Sequence, residues 1–230
     1  MQIFVYGEPR TLSAGYKEFI DPQHTAIISI DMHEGHLSED TQCPCPAPRA
    51  REIVRPINAF HASARKLNIP IIHVRSVLRR GGVDDVNGIP SAWRKAFSLH
   101  VGPIHNADEH AIEGTRWTEF ATQVSDRDII VSGKRRLSPF FATDLDFLLR
   151  QMGIKRVVLN GGLADSCVLN AAFDASNLSY RVVVLRDLVR GTDEAMEAAA
   201  MKIVSLHLGL VTESSELVQH WEKTDESLVA

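Results

Sequence analysis

Several features typical of membrane, secreted or nucleic-acid-binding proteins are missing from this sequence. No apolar run approaches the ~20 residues that a bilayer-spanning helix requires. The N-terminus, MQIFVYGEPR, has no basic start followed by a long apolar segment, so we expect no secretory signal. The 25 Lys and Arg residues face 29 Asp and Glu residues, a net charge of -4, which leaves no cationic excess for nucleic acid or an anionic membrane. Adjacent arginines at 79–80 and 135–136 are interpreted as solvated loop charges or contacts to a substrate anion.

Cysteine is also scarce, with three residues in the chain. Cys43 and Cys45 flank a proline, and Cys167 stands alone. A small, odd number of cysteines argues against a disulfide framework and indicates a reducing compartment, so we expect a cytoplasmic protein. The 230 residues are 44% hydrophobic, which is enough for one sizeable core. Because no linker, repeat or low-complexity segment interrupts the chain, we expect residues 1–230 to form a single domain.

Apolar segments suited to strands alternate with segments of helical periodicity. Helical spacing is clear from Ile53 to Leu67, where apolar residues recur every three or four positions. Continuous Val, Ile and Leu runs predict strands at residues 26–30, 70–74, 128–131, 156–160, 182–185 and 210–212. Further helices are predicted over residues 145–152, from Ser166, and after a cap at Thr192 or Asp193. This pattern indicates an α/β fold with three layers, α/β/α. Its middle layer is a mostly parallel sheet of roughly six strands, and helices cover both faces.

Three reactive side chains follow predicted strands. Asp31 ends the run 26–30, Lys134 lies just past the run 128–131, and Cys167 follows the next strand through a Gly-Gly turn at a helix start. Because ligands bind outside the carboxyl ends of parallel strands, these three side chains can converge there. The carboxylate can take the thiol proton, the ammonium can stabilise both anions, and the thiolate can attack a carbonyl carbon. The positive end of the helix dipole is expected to lower the pKa of Cys167.

Each of these residues also has an ordinary structural interpretation. Cys167 can be a buried structural thiol, Asp31 a helix or loop cap, and Lys134 a solvated loop charge. The coincidence of all three at strand ends favours the catalytic interpretation. Between them, residues 75–126 form a long irregular segment with weak helical pieces around Trp93 and Trp117, and segments of this length usually serve as lids or binding loops.

The sequence resembles the isochorismatase-like cysteine hydrolases, a family that includes nicotinamidase, carbamoylsarcosine amidohydrolase, and biuret and ureidoacrylate hydrolases. The resemblance covers most of the chain and is carried by AIISIDMHEGHL, SGKRRLSPFFATDLDFLLRQMGIKRVVLNGG, and GGLADSCVLNAAFDA followed by VVVLRDLVRGTDEA. In the second segment, the spacing and order of Ser138, Phe140, Thr143 and Leu145 also match. The resemblance implies the family's α/β fold and assembly into a homo-oligomer, a dimer or a tetramer.

Residue by residue, the resemblance implies a catalytic triad of Asp31, Lys134 and Cys167. It implies an oxyanion hole formed by the backbone N–H groups of Ala164 and Cys167, beside a non-proline cis peptide bond placed at Leu163–Ala164. It further implies a hydrolase of non-peptide carbon–nitrogen bonds, an amidohydrolase that forms a thioester and needs no cofactor. Cys167 argues against the isochorismatase branch proper, which cleaves a vinyl ether and lacks this thiol.

The chain departs from the family directly after Asp31. Most members read Asp-Met-Gln followed by Asn or Asp and Phe, whereas this chain has Met32, His33, Glu34, Gly35 and His36 in the following positions. A pair of histidines without a third donor is a weak metal site, since zinc needs three or four ligands. The Asp-x-His element of zinc-dependent nicotinamidases is replaced by the residues 73–76, His-Val-Arg-Ser. We therefore expect no metal site.

The expected substrate is a small linear amide or a ureido or carbamoyl compound. Its many polar groups would be met by His33, His36, Arg75 and His207, with Phe140 and Phe141 closing the apolar side. Plain structural roles remain open for these residues: a helix C-terminal histidine for His207 and core packing for the two phenylalanines.

Two further classes of function stay open at this level. The first is a nicotinamidase-like aryl amidase. The second is a module without catalytic activity, either a silent family member or a cofactor-binding α/β domain. For the latter, the segment GGLADS follows a strand and precedes a helix, as a dinucleotide loop would, but it is not G-x-G-x-x-G.

Overall fold

The computed structural model describes residues 1–89, 91–94, 96 and 110–229. Within these residues, the strands are β1 (Gln2–Val5), β2 (Glu8–Thr11), β3 (Thr25–Ile30), β4 (Ile71–Ser76), β5 (Ile129–Lys134), β6 (Arg156–Gly162), β7 (Arg181–Arg190) and β8 (Gly209–Thr212). The helices are α1 (Glu34–Leu37), α2 (Pro48–Arg51), α3 (Val54–Lys66), α4 (Leu145–Gln151), α5 (Leu169–Asn177), α6 (Glu194–Ile203) and α7 (Ser214–Val229). Short 3-10 turns cover Ala14–Phe19, Arg80–Gly82 and Arg116–Thr118, and π-helical turns cover Ala164–Val168 and Val204–Leu208.

The strands form one sheet in the order β2-β1-β8-β7-β6-β3-β4-β5. Strands β3 to β8 pair in parallel, and β1 and β2 pair antiparallel at one edge. The predicted α/β class is confirmed, and the predicted strands correspond to β3 to β8. The sheet is larger than expected because of the N-terminal hairpin, whose turn at Tyr6 and Gly7 has positive φ at both residues, 55° and 89°, as two-residue hairpin turns prefer.

Helices cover both faces of the sheet because successive strand side chains point to opposite sides. On one face, Ile28 and Leu159 pack in a core with Leu145 of α4 and Ala171 of α5. On the other face, Ile27, Val158 and Ile57 of α3 share a second core with Trp221 of α7. Burying an aliphatic side chain of this size contributes about 1.5–3 kcal/mol, so the two cores hold the strands firmly between the helical layers.

One close backbone approach lies at the carboxyl ends of the central strands. Gly161 has a φ of +112°, and a Cβ atom added there would lie 2.2 Å from the carbonyl oxygen of Ile30. Only glycine fits this contact, since any side chain would push β6 away from β3. The contact sets the spacing between the residues that follow the two strands.

One helix departs from the sequence-based expectation, whereas the described parts of segment 75–126 agree with it. The helix α7 follows β8, where the predicted series of elements ended, and its Trp221 donates a hydrogen bond from Nε1 to the carbonyl oxygen of Ile20 at 2.9 Å. The segment 75–126 is irregular in its described parts, with helical residues at 92–94 and a 3-10 turn at Arg116–Thr118; its middle lies outside the described residues. Across the described ranges, none of the helices has the length and apolar character needed to cross a bilayer.

Candidate active site

The three residues predicted to react with substrate meet at the carboxyl edge of the sheet. Lys134 Nζ donates to Asp31 Oδ2 at 2.5 Å and to Cys167 Sγ at 3.3 Å. Asp31 follows β3 with a positive φ of 52°, Lys134 ends β5, and Cys167 lies in the π-helical turn after β6. The three strands end at one edge because they run parallel, so residues more than a hundred positions apart in the sequence become neighbours.

Ser76 completes this group and was missed by the sequence analysis. Its backbone N–H and its hydroxyl both donate to Asp31 Oδ1, at 3.0 and 3.1 Å, and its Oγ accepts from Lys134 Nζ at 3.1 Å. Strand alternation turns Ser76 toward Asp31 and Arg75 to the other face, and the β4–β5 register shifts between these two residues. The available signal was that both residues end the strand predicted before them, but the sequence alone did not show which of the two faces Asp31.

Charge pairing decides the ionisation of the buried acid and amine. Burial alone would raise the pKa of Asp31, but the charge of Lys134 and the hydrogen bond from its ammonium group hold that pKa well below its ordinary value. Burial would lower the pKa of Lys134, and the neighbouring Asp31 and Cys167 raise it instead. The pair is therefore a carboxylate and an ammonium ion, each compensating a charge that would otherwise be costly to bury.

The cysteine behaves differently from the expectation of a lowered pKa. Burial raises the pKa of Cys167 to about 11, and the attraction of Lys134 only partly offsets this because the Asp31 carboxylate acts against it. The π-helical turn Ala164–Val168, with α5 beginning only at Leu169, carries the thiol. In the resting site, the cysteine is a neutral thiol beside a carboxylate that can accept its proton.

The non-proline cis peptide bond lies at Gly162–Leu163, one position before the expected Leu163–Ala164. The expectation placed it one residue too late because Ala164 already belongs to the helical turn, and the bond lies instead at the junction between the end of β6 and that turn. The Leu163 carbonyl oxygen accepts from the N–H groups of Ser166 and Val168, both at 3.1 Å. The proposed oxyanion donors, the N–H groups of Ala164 and Cys167, lie on this turn, and their role stays a prediction.

The Asp165 side chain fastens the turn to the chain after β7. Its Oδ1 accepts from the Thr192 N–H, and its Oδ2 accepts from the Thr192 hydroxyl, both at 2.8 Å. Gly191 lies against the same carboxylate, where an added Cβ would be 2.7 Å from Asp165 Oδ1. Sequence reasoning missed this anchor, although the short side chains in GGLADSC and VRGTDEA allow such close packing.

Histidines form a layer beside Asp31. His33 donates from Nδ1 to the Trp117 carbonyl oxygen at 2.9 Å, and His36 donates from Nδ1 to the Cys45 carbonyl oxygen at 2.9 Å. The ring of His36 lies 4.7 Å from that of His33 and 5.1 Å from that of His110, measured between centroids. Burial lowers the pKa of His33 to about 3 and lowers that of His36, so both rings are neutral at pH 7.

The two predicted histidines differ in their access to substrate. His36 and His110 line the cavity in front of Cys167, whereas His33 is fully buried behind it, with Nε2 3.9 Å from Asp31 Oδ1. Over the described ranges, no three His, Cys, Asp or Glu side chains are grouped so that they could hold a metal ion.

Four residues predicted to contact substrate do not line this cavity: Arg75, Phe140, Phe141 and His207. Arg75 lies over the Phe120 ring at 4.8 Å and donates from Nε to Ser132 Oγ at 2.9 Å, because its strand position faces the other side from Ser76. His207 lies in the turn that precedes β8, and in a parallel sheet the residues before a strand are at the amino edge, opposite the triad.

The two phenylalanines are positioned by the loop after β5. Phe140 is buried in the core against Tyr180, and Phe141 is 62% exposed. Their backbone N–H groups both donate to Ser138 Oγ at 3.0 Å. Core packing therefore explains Phe140 better than substrate contact does.

A cavity of about 130 Å³ opens in front of the triad. Its wall includes Cys167 and Lys134 at the base, apolar side chains such as Leu163 and Trp93, and the arginines 94, 135 and 136. Its wall combines apolar side chains with a set of charged groups, a combination that can hold a small polar molecule.

The chain is similar in sequence and in fold to known proteins. The chain is 29% identical over 197 residues to ureidoacrylate amidohydrolase RutB from Enterobacter sp. (strain 638), covering 79% of this chain and 83% of that protein. The fold is similar to the crystal structure of a cysteine hydrolase from Pseudomonas syringae pv. phaseolicola 1448A, with a TM-score of 0.77, 22% identity, and coverage of 89% and 95% of the two chains. It is also similar to N-carbamoylsarcosine amidase from Thermoplasma acidophilum, with a TM-score of 0.64, 24% identity, and coverage of 83% and 96%.

The similarity extends over most of the chain rather than over the site alone. The family model described as the isochorismatase domain matches residues 25–216, which run from β3 into α7 and include all three triad residues. On this match, the protein belongs to the isochorismatase family.

Proposed function

We propose that this protein is a cysteine amidohydrolase that cleaves a carbon–nitrogen bond of a small linear amide or a ureido or carbamoyl compound through a thioester intermediate. One observation carries the proposal: Lys134 Nζ bridges Asp31 Oδ2 and Cys167 Sγ at the base of a cavity. A carboxylate, an ammonium and a thiol in this arrangement suit nucleophilic attack on a carbonyl group.

The first half of the reaction uses Asp31 as the general base. The Cys167 thiol is neutral at rest, so its proton passes to Asp31 while sulfur attacks the carbonyl carbon. Lys134 stabilises the thiolate character that develops on sulfur. The carbonyl oxygen becomes an oxyanion that accepts hydrogen bonds from the N–H groups of Ala164 and Cys167. When the intermediate collapses, the carbon–nitrogen bond breaks and the nitrogen leaves as ammonia or an amine with the proton from Asp31.

The second half hydrolyses the thioester. Water enters the position left by the amine and gives one proton to Asp31 as its oxygen bonds to the acyl carbon. Collapse of this second tetrahedral intermediate breaks the carbon–sulfur bond, and the proton returns from Asp31 to Cys167. The cycle restores every group to its resting protonation state and calls on no further cofactor.

The chemistry of the cavity supports a substrate with N–H donors. The Nδ1 proton of His36 is used by the Cys45 carbonyl oxygen, so the neutral ring keeps Nε2 as an acceptor, and His36 lines the cavity. An amide or ureido nitrogen can donate to such an acceptor. The similarity to a protein named ureidoacrylate amidohydrolase supports the same substrate class.

A second candidate is an aryl amidase of the nicotinamidase kind. The favouring observation is Trp93, which lines the cavity and meets the His110 ring edge-on at a centroid distance of 5.1 Å. This pair offers an aromatic wall against which a ring can stack.

The test is ammonia release from a panel of small amides, ureas, ureido acids, carbamoyl amines and aryl amides, with and without a chelator. We expect turnover of linear ureido or carbamoyl compounds, undiminished by the chelator, and a mass increase on Cys167 after rapid quenching. Cys167→Ala should abolish turnover, whereas Cys43→Ala, the loss of a buried thiol outside the cavity, should leave it largely intact. Full activity in Cys167→Ala would overturn the mechanism, and a clear preference for aryl amides would select the second candidate.

A further inference from the structure

Cationic side chains around Asp84 outnumber the acids that could balance them. Arg79 Nη1 and Arg135 Nε each lie 2.9 Å from the same oxygen, Asp84 Oδ1. Arg136 lies beside them and donates from Nη2 to the Asp84 carbonyl oxygen at 2.8 Å. Two guanidinium groups, those of Arg79 and Arg135, therefore share one carboxylate, and the third, that of Arg136, is held at the Asp84 main chain; we call these three arginines the arginine cluster.

Arg136 is the member of the arginine cluster without an acidic partner. Its Nη1 donates to the Arg135 carbonyl oxygen at 2.8 Å, and its Nη2 to that of Asp84. Among the described residues, no carboxylate lies within ion-pair distance of Arg136, whereas Arg94 pairs with Asp85 in the same cavity. The two carbonyl groups hold the side chain in place but use only two of its five N–H donors.

The position of Arg136 relates it to the reaction. Arg135 and Arg136 follow Lys134 directly and line the same cavity as Cys167. A guanidinium group held in place at the wall of a small cavity favours a planar anion that can accept two parallel hydrogen bonds. A carboxylate has this shape and is small enough to share a cavity of about 130 Å³ with an amide or ureido group.

We propose that Arg136, supported by Arg135, binds a carboxylate of the substrate, so that the compound cleaved at Cys167 is an anionic amide or ureido acid. This inference rests on the proposed function and narrows its substrate class. Arg136 is assigned a role in substrate recognition and none in bond cleavage.

The kinetic test uses matched pairs in which only the charge changes, such as N-carbamoylglycine against N-carbamoylglycinamide, and their longer homologues. For the pair that is turned over fastest, we expect kcat/KM to be about 10- to 100-fold higher for the acid, the effect of a hydrogen bond to a charged group. Arg136→Gln should remove this preference, because KM for the acid should rise about 10- to 100-fold more than KM for the neutral amide. Arg136→Lys should restore part of the preference, and Arg55→Gln, the same charge change at an exposed position of α3, should leave it unchanged.

A second measurement does not depend on catalysis. Alkylation of Cys167 by iodoacetamide at pH 9 is followed in the presence of malonate or of its neutral diamide, malonamide. We expect malonate, and not malonamide, to protect the wild-type thiol, and we expect the protection to be lost in Arg136→Gln. Equal protection by both compounds, or unchanged protection by malonate in Arg136→Gln, would overturn the carboxylate site. Protection without turnover of any panel compound would instead count against the proposed function alone.

Discussion

Ser76 donates two hydrogen bonds to one oxygen of Asp31, from its backbone N–H and from its hydroxyl, at 3.0 and 3.1 Å. The other carboxylate oxygen of Asp31 faces Lys134. Ser76 at the end of β4 thus orients the carboxylate, and Lys134 at the end of β5 stabilises its ionised form. Both contacts are present without substrate.

The hydroxyl of Ser76 should matter for catalysis. Ser76→Ala keeps the backbone bond but removes the one from Oγ, and it leaves Lys134 with one acceptor fewer. Since a hydrogen bond to a charged group is worth about 1.5–3 kcal/mol, we expect kcat/KM to fall about 10- to 100-fold. Steady-state kinetics measures this loss. Ser132→Ala, on the neighbouring strand and away from Asp31, serves as the control, and an equal loss in both variants would contradict the assignment.

Breaking the Asp31–Lys134 pair should destabilise the fold as well as stop the reaction. Asp31→Asn or Lys134→Met leaves one buried charge without its partner, and we expect the free energy of unfolding to drop by about 3–5 kcal/mol in either variant. The double variant leaves neither charge and should recover most of that loss while remaining inactive. Urea unfolding and ammonia release measure the two effects. A double variant as unstable as the sum of the singles would show that the pair does not act as a unit.

The Cys167 thiol should resist alkylation at neutral pH. Because burial raises its pKa to about 11, the thiolate fraction is small at pH 7 and grows about tenfold with each pH unit up to the pKa. Iodoacetamide labelling followed by mass spectrometry over pH 7–10 should rise steeply without a plateau. A plateau near pH 7 would indicate a thiolate stabilised by Lys134 and would return the pKa to the lowered value expected from the sequence.

Stability should fall in mild acid because neutral histidines are buried. Burial lowers the pKa of His33 and of His61 to about 3, and it lowers that of His73 as well. The unfolded chain, with histidine pKa values near 6.5, therefore binds protons that the folded chain does not. The stability contributed by these groups is present above pH 6.5 and is lost as the pH falls from there toward 3, at up to about 1.4 kcal/mol per pH unit for each group.

The checking measurement is the free energy of unfolding from urea titrations between pH 7.5 and pH 5. His61→Gln should reduce the slope of the unfolding free energy against pH by up to about 1.4 kcal/mol per pH unit. An unchanged slope in His61→Gln would mean that this ring is already protonated in the folded protein.

We expect the protein to self-associate. Val83, Val86 and Ile89 are 70%, 66% and 68% exposed, close together in the chain on the segment after β4. Apolar side chains exposed in a group are typical of a surface covered by a second copy. Light scattering should give the mass of a dimer or tetramer of the 25.5 kDa chain. Ile89→Asp should weaken this self-association. A monomeric mass for the wild-type protein would contradict this expectation.

The strand runs and strand ends were predictable because they depend on local patterns. Buried parallel strands are continuous apolar runs, and Asp31, Lys134 and Cys167 each follow one of them. Orientation was harder to predict. Arg75 and Ser76 are adjacent, and only the pairing with β5 decides which of them faces Asp31. The resemblance to the family predicted that His207 lies near the substrate. In the structure, His207 precedes β8 and therefore lies at the amino edge of the sheet, opposite Asp31, Lys134 and Cys167.

The pKa of Cys167 could not be predicted from the sequence either, because it depends on contacts between distant residues. A thiol at a helix start suggested a lowered pKa, but the degree of burial and the nearby Asp31 carboxylate depend on the assembled fold. The hairpin of β1 and β2 was missed because its strands are short and the second is exposed throughout, so it lacks the apolar runs that identify the inner strands.

The contact between Gly161 and Ile30 fixes one part of this enzyme, the spacing of its central strands, and leaves the loops around the cavity free to change in sequence. It joins main chain to main chain, so the spacing between the ends of β3 and β6 does not depend on any side-chain rotamer. The proposed contact to the substrate carboxylate, in contrast, comes from the side chain of Arg136, which lies in the loop after β5. Exchange of the loops at residues 79–89 and 135–137 is therefore a route to change which amide the enzyme accepts without changing the spacing of its central strands.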